Sequence, residues 1–310
     1  MSEKKIQQNY VYRTLQQHLD RQPIGFPATS SGVELRVLEH IFSPEEARVA
    51  ACLTHRPMFL DQIFERAMDL VDSEKQLIDL LESAVEKGGI ESGRKGGQQW
   101  YKNAPLVVGM YEYQLDRLTP EFIKDFAEYT SDRKFGISFL STPLPQMRTI
   151  PVNKSITVSL KAKDFDRISE LLKKSDGPFA ICECICRKKQ QMLGNTCEVT
   201  RRKETCLAVG HLARTAEKVG MGRTVGRETA LEILSRNQKE GLVLQPSNAR
   251  DIEFVCSCCG CCCGILRMHK KLPKPLEFWV ANYQATIDQG QCIKCGVCKT
   301  KCQVGAIVSR

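Results

Sequence analysis

Before Cys182 the chain contains a single cysteine, Cys52, and nowhere does it contain a long hydrophobic run. No apolar segment approaches the ~18–20 residues that a membrane-spanning helix needs. The first residues, M-S-E-K-K-I-Q-Q-N-Y, include basic side chains but no apolar segment behind them, so they do not resemble a secretory signal peptide. We therefore expect a cytoplasmic protein without a membrane span.

The sequence also lacks the motifs that identify common cofactor and nucleophile sites. The segment G-M-G-R-T-V-G at 220–226 lies between two predicted helices, and its spacing fits neither the Rossmann nor the Walker fingerprint. The histidines are scattered, and none forms a ligand pair at helical spacing. No nucleophile–base motif of a hydrolase or transferase is present either.

Cysteine is abundant in the second half of the chain. Of the 16 cysteines, all but Cys52 lie between Cys182 and Cys302. Adjacent cysteines, such as Cys258 and Cys259, suit the geometry of separate disulfides poorly. Such density in a chain without a secretory signal indicates metal or redox chemistry rather than a disulfide framework.

The polypeptide is basic, with 45 lysines and arginines, 36 acidic residues and a formal net charge of +9. A basic surface can bind nucleic acid, anionic lipid or an acidic protein. Metal clusters held by several thiolates are themselves anionic, however, and are stabilised by lysine and arginine nearby. The net charge therefore does not identify a partner.

After an N-terminal extension, 1–35, the segment 36–117 has the pattern of three helices followed by a β-hairpin. The residues S-P-E-E at 43–46 predict a capped helix start, and a glycine-rich turn at 93–97 predicts the hairpin. The phrase L-x-x-L-L-E-S-A-V-E-K-G-G-I at 77–90 is similar to the third helix and wing entry of winged helix-turn-helix domains. This resemblance implies an N-terminal winged helix-turn-helix domain.

The helix that would read DNA in such a domain is acidic. Its charged residues are Asp72, Glu74, Asp79, Glu82 and Glu86 against Lys75 and Lys87. An acidic helix repels phosphates, whereas DNA binding depends on releasing counterions from them. DNA is therefore a disfavoured partner, and we interpret this domain as a protein-docking module.

The segment 118–151 is predicted to be a capped helix followed by a proline-rich linker. From 152 to 250 the pattern becomes α/β. Strands are expected at 156–160, 179–181 and 242–244, with helices before the second of them and at 227–240. Gly241 ends the latter helix.

The sequence C-I-K-C-G-V-C-K-T-K-C that ends at Cys302 carries the firmest chemical signal. Its C-x2-C-x2-C-x3-C spacing is that of bacterial ferredoxins, in which thiolates wrap the corners of a [4Fe–4S] cubane. Zinc sites instead use two separate C-x2-C pairs. Gln303 stands where the ferredoxin pattern has proline. The predicted ligands in this C-terminal run are Cys292, Cys295, Cys298 and Cys302.

A second block, C-S-C-C-G-C-C-C-G, begins at Cys256. Its candidate ligands are Cys256, Cys258, Cys259, Cys261, Cys262 and Cys263, of which Cys256, Cys259 and Cys262 have the two-residue spacing. In two-cluster ferredoxins the fourth cysteine of a run binds the other cluster. By that resemblance, Cys302 should join three cysteines of this block, and the other cysteines of the run should take a fourth from it. Which members of the block bind metal stays open.

A third constellation begins with C-E-C-I-C-R at 182–187. Its predicted ligands, for a separate cluster, are Cys184, Cys186, Cys197 and Cys206. Zinc is the main alternative occupant. The basic residues around these cysteines either form a solvated face or raise the cluster potential and attract an acidic redox partner.

The whole arrangement resembles an uncharacterised family of 4Fe–4S ferredoxin-type proteins from anaerobic prokaryotes. It predicts an α+β protein in which a ferredoxin-like domain at 251–310 follows the winged helix and the cysteine-bearing α/β segment. The resemblance implies two or three [4Fe–4S] clusters that exchange single electrons with a flavoprotein, a ferredoxin or a reductase. A redox-sensing transcription regulator and a catalytic iron–sulfur reductase are the alternatives.

Overall fold

A computed structural model of the chain describes residues 3–142, 145–150, 167–272, 280–281 and 286–308, and the side chains from residue 7 onward. The strand expected at 156–160 lies outside these residues, as does part of the proline-rich linker. The chain divides into two compact units, Met1–Pro143 with Thr215–Met221 and Leu144–Arg214 with Gly222–Arg310. Both helices and strands are present, which confirms the α+β class.

Unit 1 consists of helices and one small antiparallel sheet. Its helices are α1 (Glu3–Asp20), α2 (Val33–Ile41), α3 (Pro44–Ala50), α4 (Leu60–Ala67), α5 (Glu74–Glu86), α6 (Pro120–Ser131) and α7 (Arg133–Leu140). Its strands are β1 (Met58–Phe59), β2 (Ile90–Lys95) and β3 (Gln98–Asn103), in the order β1-β3-β2. Two short helical turns, Leu106–Met110 and Glu112–Arg117, follow β3.

Local interactions explain the start of α3 and the turn between β2 and β3. The Ser43 side chain accepts a hydrogen bond from the backbone N–H of Glu46, and the Glu46 carboxylate accepts one from the Ser43 N–H. This reciprocal pair is the capping box that the sequence predicted. The predicted hairpin is also present, because β2 and β3 pair antiparallel around a turn where Gly96 and Gly97 have positive φ. The assignment of these elements to a winged helix stays a prediction.

The N-terminal extension contains a long helix that the sequence interpretation missed. In α1 the side chains of Val11, Tyr12, Leu15 and Leu19 are buried. They recur three, four and seven residues apart, which is the helical spacing of one apolar face.

Within the described residues, no helix combines the length and the apolar character that crossing a bilayer requires.

Unit 2 is built on a five-stranded antiparallel sheet. Its strands are β4 (Phe179–Glu183), β5 (Glu204–Val209), β6 (Gly222–Val225), β7 (Val243–Pro246) and β8 (Phe254–Cys258), in the order β6-β4-β5-β8-β7. Its helices are α8 (Ile168–Lys174), α9 (Ile185–Met192), α11 (Arg227–Lys239), α12 (Gly264–His269) and α13 (Val297–Lys301). A further helix, α10 (His211–Lys218), begins in unit 2 and ends in the segment grouped with unit 1.

The core of unit 2 joins α8 and α11 to the sheet. Leu172 of α8, Leu234 of α11 and Val255 of β8 are fully buried in one apolar cluster. Burial of each such side chain contributes roughly 1.5–3 kcal/mol relative to exposure. This core fixes the strand ends from which the cysteines project.

The predicted helix end at Gly241 is confirmed: α11 stops at Lys239, and Gly241 has a φ of 90°.

Candidate metal centre

Six thiols of unit 2 form a closed ring of hydrogen-bonded neighbours, which we call the six-thiol ring. In order around the ring they are Cys184, Cys186, Cys263, Cys258, Cys256 and Cys206. Three of them come from the C-x-C-R constellation and β5, and three come from the block that starts at Cys256. The ring therefore unites residues that the sequence assigned to separate clusters.

Strand register and helix caps bring these six thiols together. Leu207 of β5 pairs with Val255 of β8, which places Cys206 beside Cys256. Cys258 follows Cys256 by two residues on β8 and so lies on the same face of the sheet. Cys184 immediately precedes α9, and Cys263 immediately precedes α12. The ring is thus built from one pair of neighbouring strands and two helix starts.

A buried arginine stands beside the ring. Arg187 is only 8 % exposed, and its guanidinium donates hydrogen bonds to the Thr205 hydroxyl and, at 2.8 Å, to the Ser257 carbonyl. Burial lowers the pKa of Arg187, but the negative charge of Cys184 and Cys206 outweighs burial and raises that pKa above its ordinary value. Arg187 is therefore a fixed cation next to the sulfur atoms.

Within the ring, the ionised form is favoured at Cys184 and disfavoured at its two neighbours. Hydrogen bonds from Cys186 and then Cys206 hold the pKa of Cys184 well below its ordinary value. The hydrogen bonds that Cys186 and Cys206 make to the Cys184 sulfur are the largest cause that raises the pKa of these two thiols. Several thiolates in one site need cations to compensate their charge, and metal ions supply such charge. Gln245 donates a further hydrogen bond to the Cys258 sulfur at 3.2 Å.

Four other thiols make a second, tighter cluster, which we call the four-thiol group. Its members are Cys197, Cys259, Cys261 and Cys262, whose sulfurs all lie within 4.8 Å of one another. The Cys197 sulfur lies 3.7 Å from that of Cys259 and 3.8 Å from that of Cys261. The sulfurs of Cys261 and Cys262 are 3.6 Å apart. Such an arrangement can hold a metal ion.

The loop that carries Cys197 is anchored by an ion pair. Arg202 donates to both carboxylate oxygens of Glu240, at 3.0 Å from Nε to Oε1 and 2.8 Å from Nη2 to Oε2. The Thr200 hydroxyl donates to the same carboxylate at 2.7 Å. Arg202 is the main cause that lowers the pKa of Glu240 to about 2. This anchor lies just beyond α11, and the loop it fixes places Cys197 beside the turn that follows β8.

Backbone amides favour the ionised form of Cys197. Burial raises the pKa of this thiol, but hydrogen bonds from the N–H groups of Thr200 and Val199 outweigh burial and lower it to about 7. Burial raises the pKa of Cys259 instead, to about 12. Cys197 is thus the member of this pair that is already close to being a thiolate at neutral pH, the form that binds metals.

The C-terminal run lies at the surface of unit 2. Cys292, Cys295 and Cys298 are exposed, and Cys302, directly after α13, is partly buried. The Cys302 sulfur accepts a hydrogen bond from the Ala306 N–H at 3.3 Å. Burial raises the pKa of this thiol, but the amides of residues 304–307 outweigh it and lower the pKa. Amide donors to a cysteine sulfur are typical of iron–sulfur sites, so the donor set fits a [4Fe–4S] cluster.

The residue that departs from the ferredoxin pattern makes a specific contact. The Gln303 side-chain oxygen accepts a hydrogen bond from the Gly260 N–H at 2.8 Å. A Cβ atom on residue 260 would lie 2.0 Å from the Gln303 carbonyl oxygen, so only glycine allows this approach. Proline could not form the bond, because it has no side-chain acceptor. Gln303 therefore ties the C-terminal run to the block that starts at Cys256.

The structure divides the predicted sites differently from the sequence interpretation. It brings Cys184, Cys186 and Cys206 together but places Cys197 in the four-thiol group. The block of six cysteines splits, because β8 ends at Cys258 and a turn follows. Its two halves are Cys256, Cys258 and Cys263 in the ring, and Cys259, Cys261 and Cys262 in the four-thiol group. That Cys302 shares a cluster with this block stays a prediction.

Comparison with known proteins identifies one part of the chain. The family described as a 4Fe-4S binding domain matches residues 285–308, which contain all four cysteines of the C-terminal run. Searches of curated proteins and of solved structures found no significant match. The chain therefore carries a 4Fe-4S binding domain near its C-terminus, together with a cysteine cluster in the same unit.

Proposed function

We propose that this protein is an iron–sulfur electron-transfer protein with two or three [4Fe–4S] clusters. Its role is to relay single electrons to or from a larger redox enzyme such as a flavoprotein, a ferredoxin or a reductase. The observation that carries the proposal is the match of residues 285–308 to 4Fe-4S binding domains, in a unit that also holds a ring of six thiols. When bound, such clusters supply one-electron redox chemistry.

The residues of the chain suit an electron relay in two ways. The C-terminal run is exposed, and Lys294, Lys299 and Lys301 at its surface would attract an acidic partner. In the six-thiol ring Cys258 and Cys263 are buried and the other four thiols are partly buried, and Arg187 beside them supplies a positive charge. An exposed site can exchange electrons with a partner, while a less exposed site holds them farther from solvent.

Anaerobic purification of the full-length chain tests this proposal directly. We expect at least about eight iron and eight sulfide ions per chain, which is the content of two [4Fe–4S] clusters. Reduction with dithionite should produce electron paramagnetic resonance signals of reduced clusters. About four irons per chain or fewer would contradict the multi-cluster proposal, because four irons make a single cluster.

Two observations favour a carrier over the alternatives. A catalytic reductase needs an iron with an open coordination position, and six thiols in one ring are enough to ligate every iron of a cubane. A transcription regulator needs a basic reading helix, whereas the exposed charges of α5 are Glu74, Asp79 and Glu86 against Lys75. We therefore infer that the N-terminal domain docks a protein rather than DNA.

A gel-shift experiment separates docking from DNA reading. The full-length chain, mixed with DNA from upstream of its own gene at physiological salt, should give no sequence-specific shift, because α5 repels phosphates. The variant Asp79→Lys with Glu86→Lys should tighten non-specific binding by roughly tenfold. A specific shift by the unmodified chain that competitor DNA of random sequence does not remove would favour the regulator.

A further inference from the structure

The sulfur spacing in the four-thiol group is that of a single tetrahedral ion. A Zn–S bond is about 2.3 Å, so the sulfurs of a regular tetrathiolate site lie roughly 3.8 Å apart. Three of the six sulfur–sulfur separations among Cys197, Cys259, Cys261 and Cys262 are 3.6, 3.7 and 3.8 Å, and all six are within 4.8 Å. A cubane places its thiolates on four separate irons, so its four sulfurs cannot all lie as close together as the four of this group, which are all within 4.8 Å of one another. In the six-thiol ring, by contrast, hydrogen bonds join each sulfur only to its two neighbours. The geometry thus distinguishes this group from a [4Fe–4S] site.

The surroundings of the group are those of a closed, structural metal site. Cys259 and Cys262 are buried, and they pack with Leu242 and Val199. Four thiolates complete the coordination of a tetrahedral ion and leave no position for water or substrate. Tetrahedral sulfur coordination in an apolar shell suits Zn²⁺, which has no redox chemistry.

The position of the group in the chain gives such an ion a structural task. Cys197 lies in the loop between α9 and β5, whereas the other three thiols lie in the turn between β8 and α12. Cys258 and Cys263, which flank that turn, belong to the six-thiol ring. An ion at this point fastens the loop to the turn, next to the ring but separate from it.

We propose that Cys197, Cys259, Cys261 and Cys262 bind one Zn²⁺ ion in a tetrahedral site that is distinct from the iron–sulfur sites. The excess negative charge of a zinc tetrathiolate is offset by Arg187, whose guanidinium interacts with the charges of Cys259 and Cys197. The proposal is independent of electron transfer, because it concerns a redox-inert ion. It also implies that the [4Fe–4S] clusters are held by the six-thiol ring and the C-terminal run.

Metal analysis of the full-length chain, purified anaerobically from medium containing iron and zinc, tests the site. We expect about one zinc per chain in the unmodified protein. Cys197→Ser and Cys261→Ser should each lose most of that zinc while the iron content is unchanged. Cys197→His should keep the zinc, because three cysteines and one histidine also form a zinc site. Substitution of zinc by Co²⁺ should give the strong visible bands of a tetrahedral cobalt tetrathiolate.

Matched variants make the assignment specific. Cys182→Ser changes a buried cysteine outside both thiol groups, whose thiol donates to the Ala180 carbonyl, and should leave the zinc in place. Cys295→Ser should also keep it, which excludes zinc that has replaced iron in the C-terminal run. Absence of zinc from the unmodified protein would overturn the proposal. So would a loss of about four irons with Cys197→Ser, or mononuclear iron at this site.

Discussion

Replacing Cys295 by serine is expected to remove the C-terminal [4Fe–4S] cluster and to lower the iron content by about four atoms per chain. A serine hydroxyl does not ionise near neutral pH and is a far poorer ligand for iron than a thiolate. Cys295 is exposed, so its loss should leave the packing of unit 2 unchanged. Iron and sulfide assays, together with the electron paramagnetic resonance spectrum of the reduced protein, measure the effect. Electron transfer to a soluble acceptor should fall with the cluster.

The control for this prediction is Cys52→Ser, which changes a cysteine of unit 1. The Cys52 thiol donates to the carbonyls of Arg48 and Arg66, and a serine hydroxyl can donate likewise. This variant should keep all of its iron. If Cys295→Ser keeps its full iron content, the C-terminal run is not the ligand set of a cluster, whatever its spacing.

The C-terminal run could be predicted from sequence because it is local. Its four cysteines lie within one loop and one short helix, so their spacing alone carries the information about the site. The same is true of α3, whose capping box depends on two residues three positions apart. Structure that depends on neighbouring residues is visible in the sequence.

The division of the other cysteines could not be predicted in this way. Cys206 and Cys256 become neighbours only because β5 pairs with β8 in one particular register. The position of Cys197 depends on the ion pair between Arg202 and Glu240, which joins a loop to the end of a distant helix. Spacing in the sequence contains neither fact. A two-residue alternation on a strand would have grouped Cys256 with Cys258, but only after the strand itself had been recognised.

Replacing Arg187 by methionine is expected to lower the reduction potential of the cluster that we assign to the six-thiol ring. The buried guanidinium stabilises the more negative, reduced state, so its removal favours the oxidised state. A unit charge acting over about 8 Å through an effective dielectric of about 20 is worth about 2 kcal/mol. For one electron this corresponds to roughly 90 mV. The measurement is a redox titration followed by electron paramagnetic resonance, in a Cys295→Ser background where only the ring cluster should contribute.

The variant Arg187→Lys separates the charge of this side chain from its hydrogen bonds. Lysine keeps the positive charge but cannot reproduce the paired contacts with Thr205 and Ser257. If charge sets the potential, the lysine variant should stay within roughly 30 mV of the unmodified protein while losing some stability. A lysine variant shifted as far as the methionine variant would mean that the hydrogen bonds set the potential, by holding β5 and β8 in position. An unchanged potential in both variants would mean that Arg187 only supports the fold, and that the charge of the ring is compensated by the metal alone.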